Sequence, residues 1–358
     1  MFDRIREQLD ERAKQHRLRA VHKPVAGIDF CSNDYLGFGA EPLQLPPLPS
    51  GSGASRLISG YSDGLAQLEQ TLAQTYRGET ATFFSSGYEA NSGVVQMLHT
   101  MGIRLLYDAH IHASMRSALH GGGLAAWKYK HLDMADLEAK LKRSTEPVVV
   151  LTEGLFSMDG DQGKLAEFAA LKAKYNFALV VDEAHSTGTV GEGLLGWSGT
   201  SGDLADVRIH TFGKALGIQG AVVVASRLFQ QAVHNFCRPL IYSTAPSPLL
   251  VAGVQLAHDR FMQHGAARRL ALTAAINTYV TAQKNSTNFS AQPGPIQWFG
   301  AAKGTLHMQE QVAQLRKAGF AVYGIQAPTV PEGAERIRIC LHSFNTSTEI
   351  DQLCAYLK

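Results

Sequence analysis

LVVDEAHSTG (residues 179–188) opens on an apolar run and IHTFGKALGIQG (residues 209–220) on a short strand-like stretch, and each passes into a polar, glycine-bearing turn. That is the pattern of a buried strand whose end opens at one edge of a sheet. The two strand ends bring Asp182, His185 and Lys214 to a common edge, so an acid, an imidazole and an amine face one crevice. The set suits pyridoxal phosphate: a lysine amine holds the aldehyde as a Schiff base, and a carboxylate keeps the pyridine nitrogen protonated so that the ring accepts carbanion electrons.

Working outward, strands are expected at 148–152, 178–181 and 221–225, with a helix at 165–175 between the first two. Upstream, apolar spacing is helical over 63–76 and 89–100, and IRLLYDAHIHAS (103–114) begins as a strand. Such alternation implies an α/β fold with a mainly parallel sheet covered by helices, and functional residues at the carboxyl ends of its strands. EPLQLPPLPSGSG (41–53), with four prolines and two glycines, excludes regular structure and marks a linker. Helical signal dominates from 243 to about 284; then GIQAPTV (324–330) and RIRICLHS (336–343) read as strands, and STEIDQLCAYLK (347–358) as a closing helix. The expected organisation is an N-terminal helix, arm and linker over 1–50, a large cofactor-binding domain over 51–260, and a smaller α+β domain over 261–358.

Lys plus Arg number 33 against 31 Asp plus Glu, a net charge of +2 that is too small for a nucleic-acid footprint. Cys31, Cys237, Cys340 and Cys354 have no CxxC spacing, which argues against a zinc site or a disulfide framework and fits a reducing cytoplasm. MFDRIREQLDERAKQHRLRA (1–20) mixes both charge signs and lacks the apolar core of a signal peptide. Its Phe2, Ile5, Leu9 and Ala13 recur at helical spacing, so an amphipathic helix lying on the body of the protein is expected. No apolar run approaches the roughly twenty residues that span a bilayer, so no membrane partner is expected.

Three further patterns bear on ligands. Ser86-Gly87-Tyr88 is a glycine turn entering a helix, a source of unpaired amides for a phosphate. His110 and His112 alternate on an extended segment and permit a metal reading, but no third ligand is evident, and no metal is expected. A P-loop is absent, because GDQGKL (160–165) lacks the hydroxyl that holds magnesium.

Nine segments together resemble one family: CSNDYLGFG (31–39), GSGASRLISGYSDGLAQLE (51–69), FFSSGYEAN (83–91), DAHIHAS (108–114), EGLFSMDGD (153–161), VVDEAHSTGTVGEG (180–193), HTFGKALG (210–217), RPLIYSTA (238–245) and PTVPEGAERIRI (328–339). In this order they are similar to the α-oxoamine synthases, pyridoxal-phosphate enzymes of the type I aminotransferase fold. The resemblance makes Lys214 the Schiff-base residue and, once displaced by the amino acid, the base that takes the α-proton. It pairs Asp182 with the pyridine nitrogen, His185 with the phenolic oxygen, and stacks His112 on the ring. Ser86, Gly87, Tyr88 and Thr211 fall at phosphate positions, and Ser157 at a cofactor oxygen. Ser243 and Thr244 match hydroxyls that reach the phosphate of a neighbouring subunit, which implies a homodimer with shared sites.

For substrate, an arginine fork suits the amino-acid carboxylate. Arg336 and Arg338, two apart on a strand, both qualify by direction, and the resemblance selects Arg338. Asn33, Arg19 and Thr329 match other substrate contacts. The implied reaction is a decarboxylative condensation of L-alanine with a pimeloyl thioester, on acyl carrier protein or coenzyme A, which gives 8-amino-7-oxononanoate for biotin. A glycine-using relative such as 2-amino-3-oxobutyrate ligase is the alternative, and a noncatalytic pyridoxal-phosphate-binding protein a further one. GSGASRLISG favours the first reading, and retention of Asn33, His112, Asp182, Lys214 and Arg338 speaks against the last. Departures from the family pattern at Leu132, at Gly163-Lys164, in TAPSP (244–248) and in the short stretch between Arg19 and Asn33 bear on acyl specificity, since none removes a catalytic group.

Overall fold

Runs such as VVVLTE and FALVVD are apolar almost throughout because a strand inside a doubly covered sheet meets side chains on both faces. In the computed structural model, which describes residues 2–357 apart from 16, 22, 120–124, 285, 287, 301–303 and 328, a short β1 (Ile28–Asp29) precedes seven longer pairing partners. These are β2 (Thr80–Phe84), β3 (Arg104–Asp108), β4 (Trp127–Tyr129), β5 (Val148–Glu153), β6 (Phe177–Asp182), β7 (Val207–Thr211) and β8 (Ala221–Ala225). They form one sheet in the order β2-β8-β7-β6-β5-β3-β4. Only β8 runs antiparallel to its neighbours, so the sheet is mainly parallel, as the alternation of apolar runs and helices predicts.

Successive side chains divide between two cores. Val149, Leu151, Val180 and Ile209 pack with Val94 and Leu98 of helix Gly87–Thr100. Val150, Leu179 and Val181 pack on the other face with Phe168 of helix Leu165–Lys172 and with Trp197. Because β5, β6 and β7 are adjacent and finish on Glu153, Asp182 and Thr211, three polar side chains emerge together from an otherwise apolar layer.

Beyond the sheet, helix Pro248–Ala282 runs for 35 residues, and the boundary expected at 260/261 falls inside it. The second unit contains β9 (Ile296–Gly300), β10 (Phe320–Ala321), β11 (Tyr323–Ile325) and β12 (Arg336–Cys340). The order β11-β12-β9 makes a small antiparallel sheet, while β1 pairs in parallel with β10 and ties the N-terminal arm to this unit. Helix Gly304–Lys317 packs on β10, β11 and β12, and the closing helix Ser347–Tyr356 on Pro248–Ala282. Residues 41–53 carry no helix or strand.

Two expectations need correction. Helix Phe2–Lys14 forms but does not lie on the body: it buries none of its residues, and Phe2 is 73% exposed, because its narrow apolar stripe meets no facing apolar surface among the described residues. Of GIQAPTV only Gly324 and Ile325 belong to a strand, Tyr323–Ile325, because Thr329 N donates to Gln326 O and closes a turn in place of a ladder bond. No helix among the described residues is long and apolar enough to cross a membrane.

Candidate active site

A cavity of 310 Å³ opens where β5, β6 and β7 end, facing the N-terminus of helix Gly87–Thr100. Lys214 enters it from the loop between β7 and β8. Phe212 N donates to Gly220 O and Ile218 N to Phe212 O, so this loop closes on itself. Gly217, at φ 69, passes so near the 31–39 segment that a Cβ would lie 2.2 Å from Gly39 N. The Lys214 amine makes no hydrogen bond or ion pair among the described residues. Burial lowers its pKa to about 8, against the opposing pull of Asp182.

Asp182 is buried at the end of β6. Its Oδ1 accepts from Ala184 N at 2.9 Å and its Oδ2 from Asn91 Nδ2 at 2.6 Å. The same Asn91 amide donates to Ser114 Oγ at 3.1 Å, and that hydroxyl stands 2.8 Å from His112 Nδ1. Ser114 N also donates to Nδ1, which assigns this nitrogen as the acceptor and leaves the ring proton on Nε2. Burial lowers the His112 pKa, with Lys214 and Arg116 acting in the same direction and Asp182 against it. A continuous polar relay therefore joins His112 to Asp182.

His185 is buried with Nδ1 2.7 Å from the Tyr35 hydroxyl, which in turn donates to Asn33 Oδ1 at 3.0 Å. Burial, then Lys214 and Arg338, hold this imidazole well below its ordinary pKa, so it stays neutral. Arg338 reaches the same group from β12: its guanidinium donates to Asn33 Oδ1 at 3.1 Å and to Ser157 O at 2.7 Å. Arg336, on the same face of the strand, turns instead to Asp159 at 2.5 Å and lies over the Trp298 ring.

At the other end of the cavity Ser86 caps helix Gly87–Thr100, its side chain accepting from Glu89 N at 3.2 Å. The first amides of a helix have no partner within it, so Gly87 and Tyr88 present donors to the cavity they line. A Cβ on Gly87 would lie 2.3 Å from Thr211 Cγ2, so glycine is what lets the helix start approach the end of β7. The Ser243 hydroxyl bonds Glu89, while Thr244 is exposed and bridges by its backbone to Ser55.

Most of the residues expected from the sequence thus converge. Asn33, Ser86, Gly87, Tyr88, His112, Asp182, His185, Thr211 and Lys214 line this cavity, and Arg338 buttresses its rim. Ser157 and Thr329 line a second cavity of 840 Å³, which shares His112 with the first. Arg19 is exposed and lines neither, whereas Arg17 reaches the second.

Three residues of the site escaped the sequence reading. Glu153 ends β5 as Asp182 ends β6, and accepts from His112 N. Burial, and next the Asp182 charge, raise its pKa well above the glutamate range, so it keeps its proton. Asn91 and Tyr35 both lay within quoted segments; their signal is the spatial pairing with Asp182 and His185. The metal question has an electrostatic answer. His110, His131 and Asp159 bring ligand atoms within 4.8 Å, yet His131 bonds Asp108 at 2.8 Å and Asp161 at 2.7 Å. Although burial opposes its charge, these two carboxylates raise its pKa to about 10, and Arg336 holds Asp159. His131 and Arg336 thus supply cations to carboxylates that a metal would otherwise meet.

This fold and its cavity are those of a known class. The chain belongs to the class I and II aminotransferase family, whose model matches residues 25–357. Among its relatives it is similar to 8-amino-7-oxononanoate synthase of Alkalilimnicola ehrlichii, with 34% identity over 342 residues that cover 92% of this chain and 87% of that protein. Two solved structures share the fold at 24% identity. One is a serine palmitoyltransferase of S. paucimobilis with pyridoxal phosphate bound to myriocin, with a TM-score of 0.85 over 99% of this chain and 96% of that one. The other is 8-amino-7-oxononanoate synthase of Francisella tularensis, with a TM-score of 0.78 over 92% of this chain and 96% of that one.

Proposed function

We propose that the chain is a pyridoxal-phosphate-dependent acyltransferase of biotin synthesis that joins L-alanine to a pimeloyl thioester, on acyl carrier protein or coenzyme A. The products are 8-amino-7-oxononanoate, carbon dioxide and the free thiol carrier. The observation that carries the reading is the convergence of Lys214, Asp182 and His112 on one cavity in a chain with this kinship.

The donor set fits the cofactor end for end. An unpartnered amine with a pKa near 8 suits the aldehyde, a buried carboxylate oriented by Asn91 suits the pyridine nitrogen, and a capped helix N-terminus beside Thr211 suits the phosphate. When bound, pyridoxal phosphate supplies the electron sink that makes the α-carbon of the amino acid nucleophilic.

The chain's own groups do the rest. Lys214 would hold the cofactor aldehyde and carry the α-proton of the amino acid, a task suited to an amine whose pKa lies near the working pH. Arg338 holds the amino-acid carboxylate, with its guanidinium pre-aimed by Asn33 and the Ser157 carbonyl. His112 covers the reacting face, fixed by Ser114 on its ring and by Glu153 on its backbone. Neutral His185, fixed at Nδ1 by the Tyr35 hydroxyl, would lie beside the phenolic oxygen of the bound cofactor. Thr329, on the second cavity, would contact substrate, as would Arg19 from the exposed N-terminal arm, and Ser243 and Thr244 would complete the phosphate site of the second subunit in a homodimer.

The test is a substrate panel that crosses alanine, glycine and serine with pimeloyl, acetyl and palmitoyl thioesters, with products read by mass spectrometry. Highest kcat/KM for alanine with the pimeloyl thioester supports the reading. A preference for glycine with the acetyl thioester would replace it with the ligase alternative.

A further inference from the structure

The second cavity begins behind His112 and holds an unusual excess of cations. Arg17, Arg116, Lys128 and Arg336 line it, against Asp159 and Glu332. Two of the four are neutralised in place: Arg17 by Glu332 at 2.8 Å, and Arg336 by Asp159 at 2.5 Å. Arg116 and Lys128 face no carboxylate within ion-pair distance among the described residues.

Arg116 is nevertheless held in position. One nitrogen of its guanidinium donates to Ala109 O at 2.8 Å and to Ile111 O at 3.1 Å, which leaves Nε and the other terminal nitrogen without an acceptor among the described residues. It follows His112 by four residues at the start of helix Ala113–Ala118, one turn away and about 5–6 Å apart at Cβ. Lys128 approaches from β4, beside Tyr107 of β3. A guanidinium fixed on one side and open on the other is arranged to receive a planar anion through two parallel hydrogen bonds.

We infer that Arg116, assisted by Lys128, binds a carboxylate at the far end of the acyl chain, so that this cavity selects dicarboxylic acyl thioesters. The inference rests on the condensation proposed above. That reaction puts the thioester carbonyl between Lys214 and His112, and the second cavity is the space that continues past His112. The phosphates of the carrier arm are also anionic, but every thioester on that carrier shares them, whereas the terminal carboxylate is peculiar to the acyl group.

Steady-state kinetics separate these sources. The cofactor-loaded wild type and Arg116→Gln are compared on the pimeloyl thioester and on its terminal methyl ester, which has the same length without the charge, both on one carrier. The wild type is expected to prefer the free acid by about tenfold or more in kcat/KM, the usual weight of a hydrogen bond to a charged group. In Arg116→Gln that ratio collapses toward one, through KM rather than kcat. Arg116→Glu, given a thioester of matching length that ends in an amine, should favour the amine over the acid. Pimelate itself, titrated calorimetrically, should bind the wild type more tightly than Arg116→Gln, a readout independent of turnover. An equal loss on acid and ester in Arg116→Gln would overturn the assignment by moving the guanidinium to the carrier phosphates. Equal use of both by the wild type would overturn it while leaving the condensation standing. Failure of alanine to condense with any acyl thioester, with pimelate still bound through Arg116, would instead overturn the proposed reaction alone.

Discussion

Glu153 and Asp182 are register partners on β5 and β6, and both carboxyl groups are buried at the same end of the sheet. Two ionised carboxylates so placed repel, and burial penalises each charge, so the pair carries one negative charge rather than two. Asp182 has the charge-stabilising donors, Asn91 Nδ2 and Ala184 N, and Glu153 keeps its proton. A single carboxylate therefore faces Lys214.

This arrangement predicts a pH-dependent stability. In the unfolded chain Glu153 ionises near 4.5, but in the fold its pKa is raised, so its contribution is full below 4.5 and is lost as pH rises through the folded value. Glu153→Gln cannot ionise. Its stability relative to wild type, measured by thermal unfolding of the cofactor-free protein, should improve as pH rises above 4.5; a gap that shrinks on going alkaline would contradict the assignment. Glu153→Ala leaves the His112 amide without its acceptor and should cost about 1–3 kcal/mol.

Lys214 has the opposite sign in its own titration. Its folded pKa of about 8 lies below the ordinary 10.5, so its contribution is present at high pH and is lost as pH falls through about 8. Lys214→Ala should abolish condensation and the visible band of the lysine-bound cofactor, yet raise the melting temperature of the cofactor-free protein at neutral pH. Retained turnover would remove Lys214 from the mechanism, and a lower melting temperature would show that its alkyl chain matters more than its buried charge.

The two arginines of β12 should separate cleanly. Arg338→Ala removes the fork that meets Asn33 and Ser157 O and should weaken alanine binding by about 1.5–3 kcal/mol, with the cofactor band little changed. Arg336→Ala should leave alanine affinity near wild type, because that guanidinium is committed to Asp159. Absorbance titration with alanine decides it: unchanged affinity in Arg338→Ala would relocate the carboxylate site.

The strand ends were legible because burial and chemistry coincide there. Asp182 follows an apolar run, so a polar residue at that point is conspicuous in one dimension, and Thr211 and Lys214 stand together in the glycine-bearing turn HTFGKALG. Glu153 obeys the same rule at the end of VVVLTE and was open to the same reading. Asn91 and Tyr35 were not, because their meaning lies in partners 91 and 150 residues away. The spacing of Phe2, Ile5, Leu9 and Ala13 correctly marked a helix, but it carries no information on what covers an apolar stripe, and here no described residue does. Direction along a strand likewise could not divide Arg336 from Arg338; the division comes from Asp159, supplied by another loop.

Exposed Ile58 and Tyr242, 82% and 73% accessible, lie on segments that touch beside Ser243 and Thr244. Apolar side chains clustered at the rim of a site are what a subunit interface would cover. The protein should therefore sediment as a dimer, and Ile58→Asp should weaken both association and cofactor affinity. A fully active monomer under assay conditions would contradict the shared site.

The central claim is that one carbon of alanine is lost while another gains the acyl group, all at Lys214 and its neighbours. The most direct measurement uses alanine labelled in its carboxyl carbon, the pimeloyl thioester and the cofactor-loaded protein, and follows the label. The label should leave as carbon dioxide in step with thiol release, while unlabelled 8-amino-7-oxononanoate accumulates. Label retained in the condensed product, or thiol released without carbon dioxide, would contradict it.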